Sequence, residues 1–269
     1  MCMISAENSC FPLIPNGKQE RKLRSMRTLR LDVCYDGTRS KGWQRLAPGD
    51  NTIQGKLETV LTRLLAEPIM IVGSGRTDAG THARCQVANF HCNSAMTCEE
   101  ILTGLRTYLP EDIGVYSCRD VSQRFHARLN AKTKMYRYRI WNSDAPCVFD
   151  RRYVHKDNRK FDIDKMRLAA ELLIGTHDFS AFCSNKHMKK STVRAIMSFN
   201  IEVVDNELIF TVVGNGFLQH MVRIMVGTLL EVGLHMREAD SVAELFGKAR
   251  ECAGPAVPAN GLCLMEVNY

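Results

Sequence analysis

The sequence predicts an α+β fold in which two similar α/β subdomains share a mostly antiparallel, mixed sheet, with a cleft between them. Three observations predict it. Period-two stretches and amphipathic helical stripes intermingle along the 269 residues without strict β-α-β alternation. Several strands meet through short turns, as antiparallel neighbours do. The succession of strands and helices in the first half returns in the second. The expected organisation is a loosely ordered extension over residues 1–25, a first subdomain over 26–122 and a second over 123–269, with no low-complexity linker between them.

The elements follow in order. Leu29, Leu31, Val33 and Tyr35 alternate on one face of a strand that closes at Asp36-Gly37. Asn51 and Gln54 have the spacing of a capping box for a helix whose stripe is Ile53, Leu57, Val60, Leu61, Leu64 and Leu65, ending at Pro68. Ile69 to Val72 reads as a short buried strand, and Gln86 to Cys92 as another. Thr97 and Glu100 cap a second helix with Ile101, Leu102, Leu105 and Leu109 inward, and Gly114 to Val121 is a further strand.

In the second half, Met135 to Trp141 is a strand and Asp164 to Ile174 a helix stopped by Gly175. Phe199–Val204 and Leu208–Val213 form a hairpin across Asp205-Asn206. A long helix runs from Phe217 to Leu234, Ser241 and Glu244 cap another, and Leu262 to Val267 is the closing strand.

Composition narrows the function classes. No stretch approaches about 18 uninterrupted apolar residues, which predicts no membrane-spanning helix, and Met1 to Asn16 lacks the basic start and apolar run of a secretory signal. The eleven cysteines are odd in number and contain no Cys-x-x-Cys, so they read as reduced thiols of a cytoplasmic protein, with no metal site expected. The net charge of +7 is unevenly placed: Arg124 to Lys160 holds eleven Lys and Arg against three Asp. A solvated face can carry such a run. Here Phe125, Tyr136, Tyr138, Trp141, Phe149 and Tyr153 interleave with it, and cations beside aromatic faces suit phosphates and bases.

The chemistry concentrates in Gly73-Ser74-Gly75-Arg76-Thr77-Asp78-Ala79-Gly80-Thr81-His82, between two strands. Gly75 and Gly80 have the Walker spacing, but Thr81-His82 stands where Lys-Ser or Lys-Thr is required, and the third glycine of a dinucleotide fingerprint is missing. Asp78 has two readings. It can close the turn through local hydrogen bonds, or it can be a catalytic carboxylate kept ionised by a neighbouring guanidinium.

Gly75-Arg76-Thr77-Asp78-Ala79-Gly80 resembles the active-site motif of the TruA-type tRNA pseudouridine synthases. The resemblance extends to Tyr35-Asp36-Gly37, Gly42-Trp43-Gln44, Phe125-His126-Ala127-Arg128, Tyr136-Arg137-Tyr138, His220-Met221-Val222-Arg223, Val226-Gly227 and Gly261-Leu262, in the family's order from Leu29 to Val267. It implies the pseudouridine synthase fold with a central RNA-binding cleft, and an isomerase that needs no cofactor. Such an enzyme breaks the bond from C1′ to N1 of a uridine, turns the base and joins C1′ to C5.

By resemblance Asp78 is the essential carboxylate, acting on C1′ as a nucleophile or removing a sugar proton. Arg223 pairs with it, Tyr136 stacks on uracil and can relay the C5 proton, and Leu262 covers the other face of the base. Tyr136, Tyr138 and Leu262 also suit a plain core. Arg76 occupies the space left by a flipped-out nucleotide, and Arg124, His126, Arg128, Lys132, Lys134 and Arg137 lie along the RNA backbone. Family members act as homodimers on the anticodon stem-loop of tRNA, positions 38 to 40, and the elbow of the tRNA is a further expected contact. Two stretches depart from the pattern: Thr81-His82-Ala83-Arg84, where Val-His-Gly is expected and Arg84 adds charge at the pocket edge, and Gly216-Phe217-Leu218-Gln219 ahead of Arg223. Both bear on the choice of RNA target.

Overall fold

A computed structural model describes residues 26–47, 49–185 and 188–269; the extension expected over 1–25 lies outside the described residues. Strand β1 (Arg27–Tyr35) leads through a long loop to α1 (Ile53–Leu65), then β2 (Val72–Gly73), β3 (His82–Cys92), α2 (Cys98–Tyr108) and β4 (Ile113–Val121). The second half contains β5 (Thr133–Trp141), β6 (His155–Lys156), α3 (Ile163–Leu172), β7 (Gly175–Asp178), β8 (Val193–Val204), β9 (Glu207–Gly214), α4 (Met221–Gly233) and β10 (Leu262–Asn268). One sheet runs β4-β1-β3-β10-β5-β9-β8-β7, with β2 on β3 and β6 on β5. All pairings are antiparallel except β10 with β3 and β5 with β6. The chain's last strand therefore lies between the two halves of the sheet.

The alternation read in β1 is the alternation of burial: Leu29, Leu31 and Val33 are fully buried and Tyr35 nearly so. In β5 the same period separates buried Tyr136, Tyr138 and Ile140 from half-buried Arg137 and Arg139. Ile53, Leu57, Leu61 and Leu65 of α1 pack in the core, as do Ile101 and Leu105 of α2. Thr97 and Glu100 form the expected capping box. Among the described residues, no helix is long and apolar enough to cross a membrane.

Several boundaries differ from expectation for local reasons. The cap of α1 is Thr52, whose hydroxyl accepts from Gly55 N, while Asn51 donates to the Arg39 carbonyl and Gln54 to Glu58 and the Ile71 carbonyl. The helix closes with Ala66 in the left-handed region, before Pro68. Of Ile69 to Val72 only Val72 is in a strand, though Ile69 and Ile71 are buried. The cap expected at Ser241 and Glu244 does not form: residues Asp240–Leu245 make a 3-10 turn without a side-chain cap. The long helix begins at Met221, not Phe217, because His220 adopts φ 61 and turns the chain before it.

Candidate active site

The turn carrying Asp78 is held from three sides. From β3, Val87 O accepts from Ser74 N at 2.7 Å, and Gln86 Nε2 donates to Gly75 O at 3.0 Å. From β1, the Tyr35 hydroxyl lies 2.8 Å from Thr77 Oγ1. From the loop after β1, Trp43 N donates to Thr77 O at 3.1 Å. Two glycines of that loop explain why separate sequence blocks travel together. A Cβ on Gly37 would stand 2.0 Å from the Thr81 carbonyl oxygen; one on Gly42, whose φ is +100°, would stand 2.7 Å from the Thr77 oxygen. The Tyr35-Asp36-Gly37 and Gly42-Trp43-Gln44 blocks are thus the bed on which the turn rests.

Asp78 faces α4. Arg223 Nη1 is 3.4 Å from Asp78 Oδ2, and the two side chains are 15% and 27% exposed. Arg223 is itself fixed, its Nε donating to the Val257 carbonyl at 2.7 Å. The segment bearing Val257 can press against α4 because Gly227 has no side chain: a Cβ there would collide with Pro255 O at 1.8 Å. A second neighbour, His220, carries no role in the sequence reading. Its Nε2 lies 3.5 Å from Asp78 Oδ1, and its Nδ1 lies 2.9 Å from Ser184 Oγ. Its left-handed backbone at the start of α4 is the signal, invisible to hydrophobic periodicity. The positive end of the helix there also favours a carboxylate.

Asp78 opens onto a cavity of about 340 Å³ lined by Arg76, Arg128, Lys134, Tyr136, His220 and Leu262, among others. That volume suits one small ligand. Tyr136 is 7% exposed and packs edge-on to Phe217, with ring centroids 5.1 Å apart. Burial, then the neighbouring Tyr35 and Asp78, push its phenol pKa upward. Phe217, Leu218 and Gln219, expected in the helix, line the cavity instead.

Other expected site residues lie further out. His126 lines an adjoining cavity of about 360 Å³ that also includes Arg76 and Arg128. Its Nδ1 accepts from the amides of Arg128 and Leu129. Arg124 is exposed and lines neither cavity. Arg137 and Arg84 line the cavity of about 1270 Å³ formed with Arg139, Tyr116 and Ile209, where Asp78 takes no part. Arg84 is thus away from the Asp78 pocket edge, and the basic run does not form one patch. Arg139 pairs with Glu207 and Asp150, and Arg159 with Asp157.

An ionisable carboxylate braced by a guanidinium, beside a buried tyrosine in a cation-lined cavity, is equipped for acid–base or nucleophilic work on a polyanion. Comparison with known proteins identifies the class. Residues 169–269 match the family model described as tRNA pseudouridine synthase. Over 245 residues the chain is 48% identical to "tRNA pseudouridine synthase A 1" of Clostridium tetani, covering 91% of this chain and 100% of that protein. It is 46% identical to "tRNA pseudouridine synthase A" of a Bacillus species and 42% to "tRNA pseudouridine synthase A 2" of Bacillus cereus, with the same coverage. The chain is an isomerase of the pseudouridine synthase class. Within that class it belongs to the tRNA pseudouridine synthase A family.

Proposed function

We propose that this protein converts uridine to pseudouridine in the anticodon stem-loop of tRNA, at positions 38 to 40, with Asp78 as the catalytic carboxylate. The observation that carries the reading is the Asp78 carboxylate on the cavity wall, 3.4 Å from Arg223 and 3.5 Å from His220. Pairing holds it in place and aims it. Asp78 acts at the ribose, either bonding to C1′ as N1 departs or removing a sugar proton. Either path leaves a detached uracil that the cavity must hold while it turns.

Tyr136 and Leu262 are the surfaces for that base. They share the cavity, and their strands are neighbours, with Leu262 opposite Tyr138 and Leu264 opposite Tyr136. The raised pKa of Tyr136 keeps its phenol protonated and able to donate. Arg76, exposed at the mouth and common to both cavities, enters the space vacated by the flipped nucleotide, a movement that costs the RNA roughly a few kcal/mol. Arg128 and Lys134 contact the strand near the cavity, and Arg124 and His126 contact it further out. The two subdomains, 26–122 and 123–269, contribute Asp78 and Arg223 respectively. The enzyme works in the cytoplasm as a homodimer, and the second subunit helps to hold the anticodon arm and the elbow of the tRNA.

The test is a map of pseudouridines in cellular tRNA with and without the gene, complemented by wild type or by Asp78→Asn. Loss at the anticodon arm that only wild type restores is the expected result. Loss confined to another RNA site overturns the target, and no loss overturns the activity.

A further inference from the structure

Besides Arg76 at its mouth, three cations meet in the Asp78 cavity without a carboxylate of their own. Lys134 projects from β5 on the Tyr136 face, and its Nζ donates to the Ser74 carbonyl at 2.8 Å. Gly75 leaves room for it: a Cβ there would stand 3.2 Å from that nitrogen. Arg128 comes from the connection before β5. Arg194 comes from the start of β8, its Nη1 donating to the carbonyls of Ser191 and Val193. All three line the same cavity, whose sole lining carboxylate among the described residues is Asp78, already flanked by Arg223 and His220. Among the described residues, none of the three takes part in an ion pair, although Arg223 beside Asp78, and Arg139 and Arg159 elsewhere in the fold, all do.

Such crowding is unfavourable in the free protein. Burial, then Arg128 and Arg194, push the Lys134 ammonium down to about 8. Burial and Arg128 likewise lower the pKa of Arg194. Like charges held together in a partly dry cleft are tolerated where an anion will join them. Two planar forks and one compact ammonium suit the tetrahedral oxygens of a phosphate.

We infer that Arg128, Lys134 and Arg194 form a single seat for one backbone phosphodiester of the RNA, immediately flanking the nucleotide presented to Asp78. The inference rests on the RNA-modifying reading above and adds Arg194, which no sequence motif marks. The seat is also wired to the turn. Lys134 holds the Ser74 carbonyl, four positions before Asp78, so filling the seat fixes the turn that carries the carboxylate.

The experiment measures binding of anticodon-arm RNA hairpins to the full chain carrying Asp78→Asn, so that no turnover intervenes. Linkages around the target uridine are replaced one at a time by uncharged methylphosphonates. One flanking linkage is expected to lose about tenfold in affinity when neutralised. Arg194→Gln should cause a similar loss with native RNA and none beyond it with that neutral RNA. Lys134→Met should show the same coupling, which keeps the test decisive if one variant does not fold. Losses that simply multiply, or that are equal at every linkage, overturn the seat. Wild-type protein that leaves the hairpin unmodified while the coupling persists would remove the catalytic reading and leave the seat standing. Isomerisation without coupling would do the reverse.

Discussion

Arg223 Nη1 meets Asp78 Oδ2 at 3.4 Å across 145 residues of chain, while the Nε of the same guanidinium is tied to the Val257 carbonyl at 2.7 Å. The arginine is therefore a strut between α4 and the turn, with one end anchored to backbone. A lysine has the charge but not the fork, and cannot make both contacts. Arg223→Lys is expected to lower the isomerisation rate about ten- to a hundredfold, the worth of one charged hydrogen bond, with RNA affinity close to wild type. Single-turnover rates on a tRNA transcript check it, and a rate equal to wild type would show that the strut has no catalytic consequence.

Asp78→Asn preserves shape and removes the charge. Since Arg128, Lys134, Arg194, Tyr136 and Leu262 are untouched, RNA should bind within a few-fold of wild type, whereas isomerisation should fall by roughly a thousandfold or more. Pseudouridine formation measured alongside filter binding separates the two. Retained activity in this variant is incompatible with the role proposed for the carboxylate.

His220 gives a subtler case. Its Nε2 is near Asp78 and its Nδ1 near Ser184, which places it to orient the carboxylate. His220→Gln, which keeps a polar group of similar reach, should retain more activity than His220→Leu, with both variants folding alike by thermal melting. Equal loss in the two would assign His220 to packing alone.

How far the sequence announced all this depends on which physical signal each feature leaves. Strand β1 and helix α2 were legible because burial at a period of two, and a Thr97–Glu100 box, are written directly in residue order. The onset of α4 was not. Phe217 and Leu218 are apolar and extend the helical stripe, but His220 turns into the left-handed region and they line the cavity instead. Periodicity cannot distinguish an apolar residue kept for the core from one kept for a site.

Charge was legible as a run and illegible as a surface. Residues of β5 alternate, so Lys134 shares a cavity with Tyr136, while Arg137 points into the other, larger one with Arg139. Arg194, absent from any motif and 60 positions from Lys134, joins it only through the folded sheet. By contrast, the pairing of Asp78 with Arg223 was readable through family resemblance, since spacing alone gives no hint that α4 and the turn meet.

The bed beneath the turn predicts a stability effect separable from chemistry. Gly42 has φ +100°, and an added Cβ would press on the Thr77 oxygen at 2.7 Å and the Ala79 amide nitrogen at 3.1 Å. Gly42→Ala should cost about 1–3 kcal/mol and displace the turn, lowering both melting temperature and turnover. The exposed Gly49, also at positive φ but with nothing within 4 Å of its Cβ position, is the control: Gly49→Ala should spare turnover. Equal effects on turnover at the two positions would deny Gly42 any part in placing Asp78.

A last prediction concerns pH. Lys134 shares the cavity with Arg76, Arg128 and Arg194, with Asp78 as the lining carboxylate and His220 and Tyr136 as the other titratable neighbours. In the free protein its ammonium titrates at about 8, lowered from 10.5. A seated phosphate stabilises the charged form and raises that value, so the complex holds the proton more tightly than the free protein does. The sign follows: the contribution to RNA affinity is fully present below pH 8 and is lost as pH rises from there toward the higher value of the complex, by at most about tenfold per pH unit for one proton. Anisotropy titrations from pH 7 to 10 on the Asp78→Asn chain should show this decline, with Lys134→Met weaker throughout and flat over the same range. A wild-type profile as flat as that of the variant would mean that Lys134 gains no anionic partner when RNA binds.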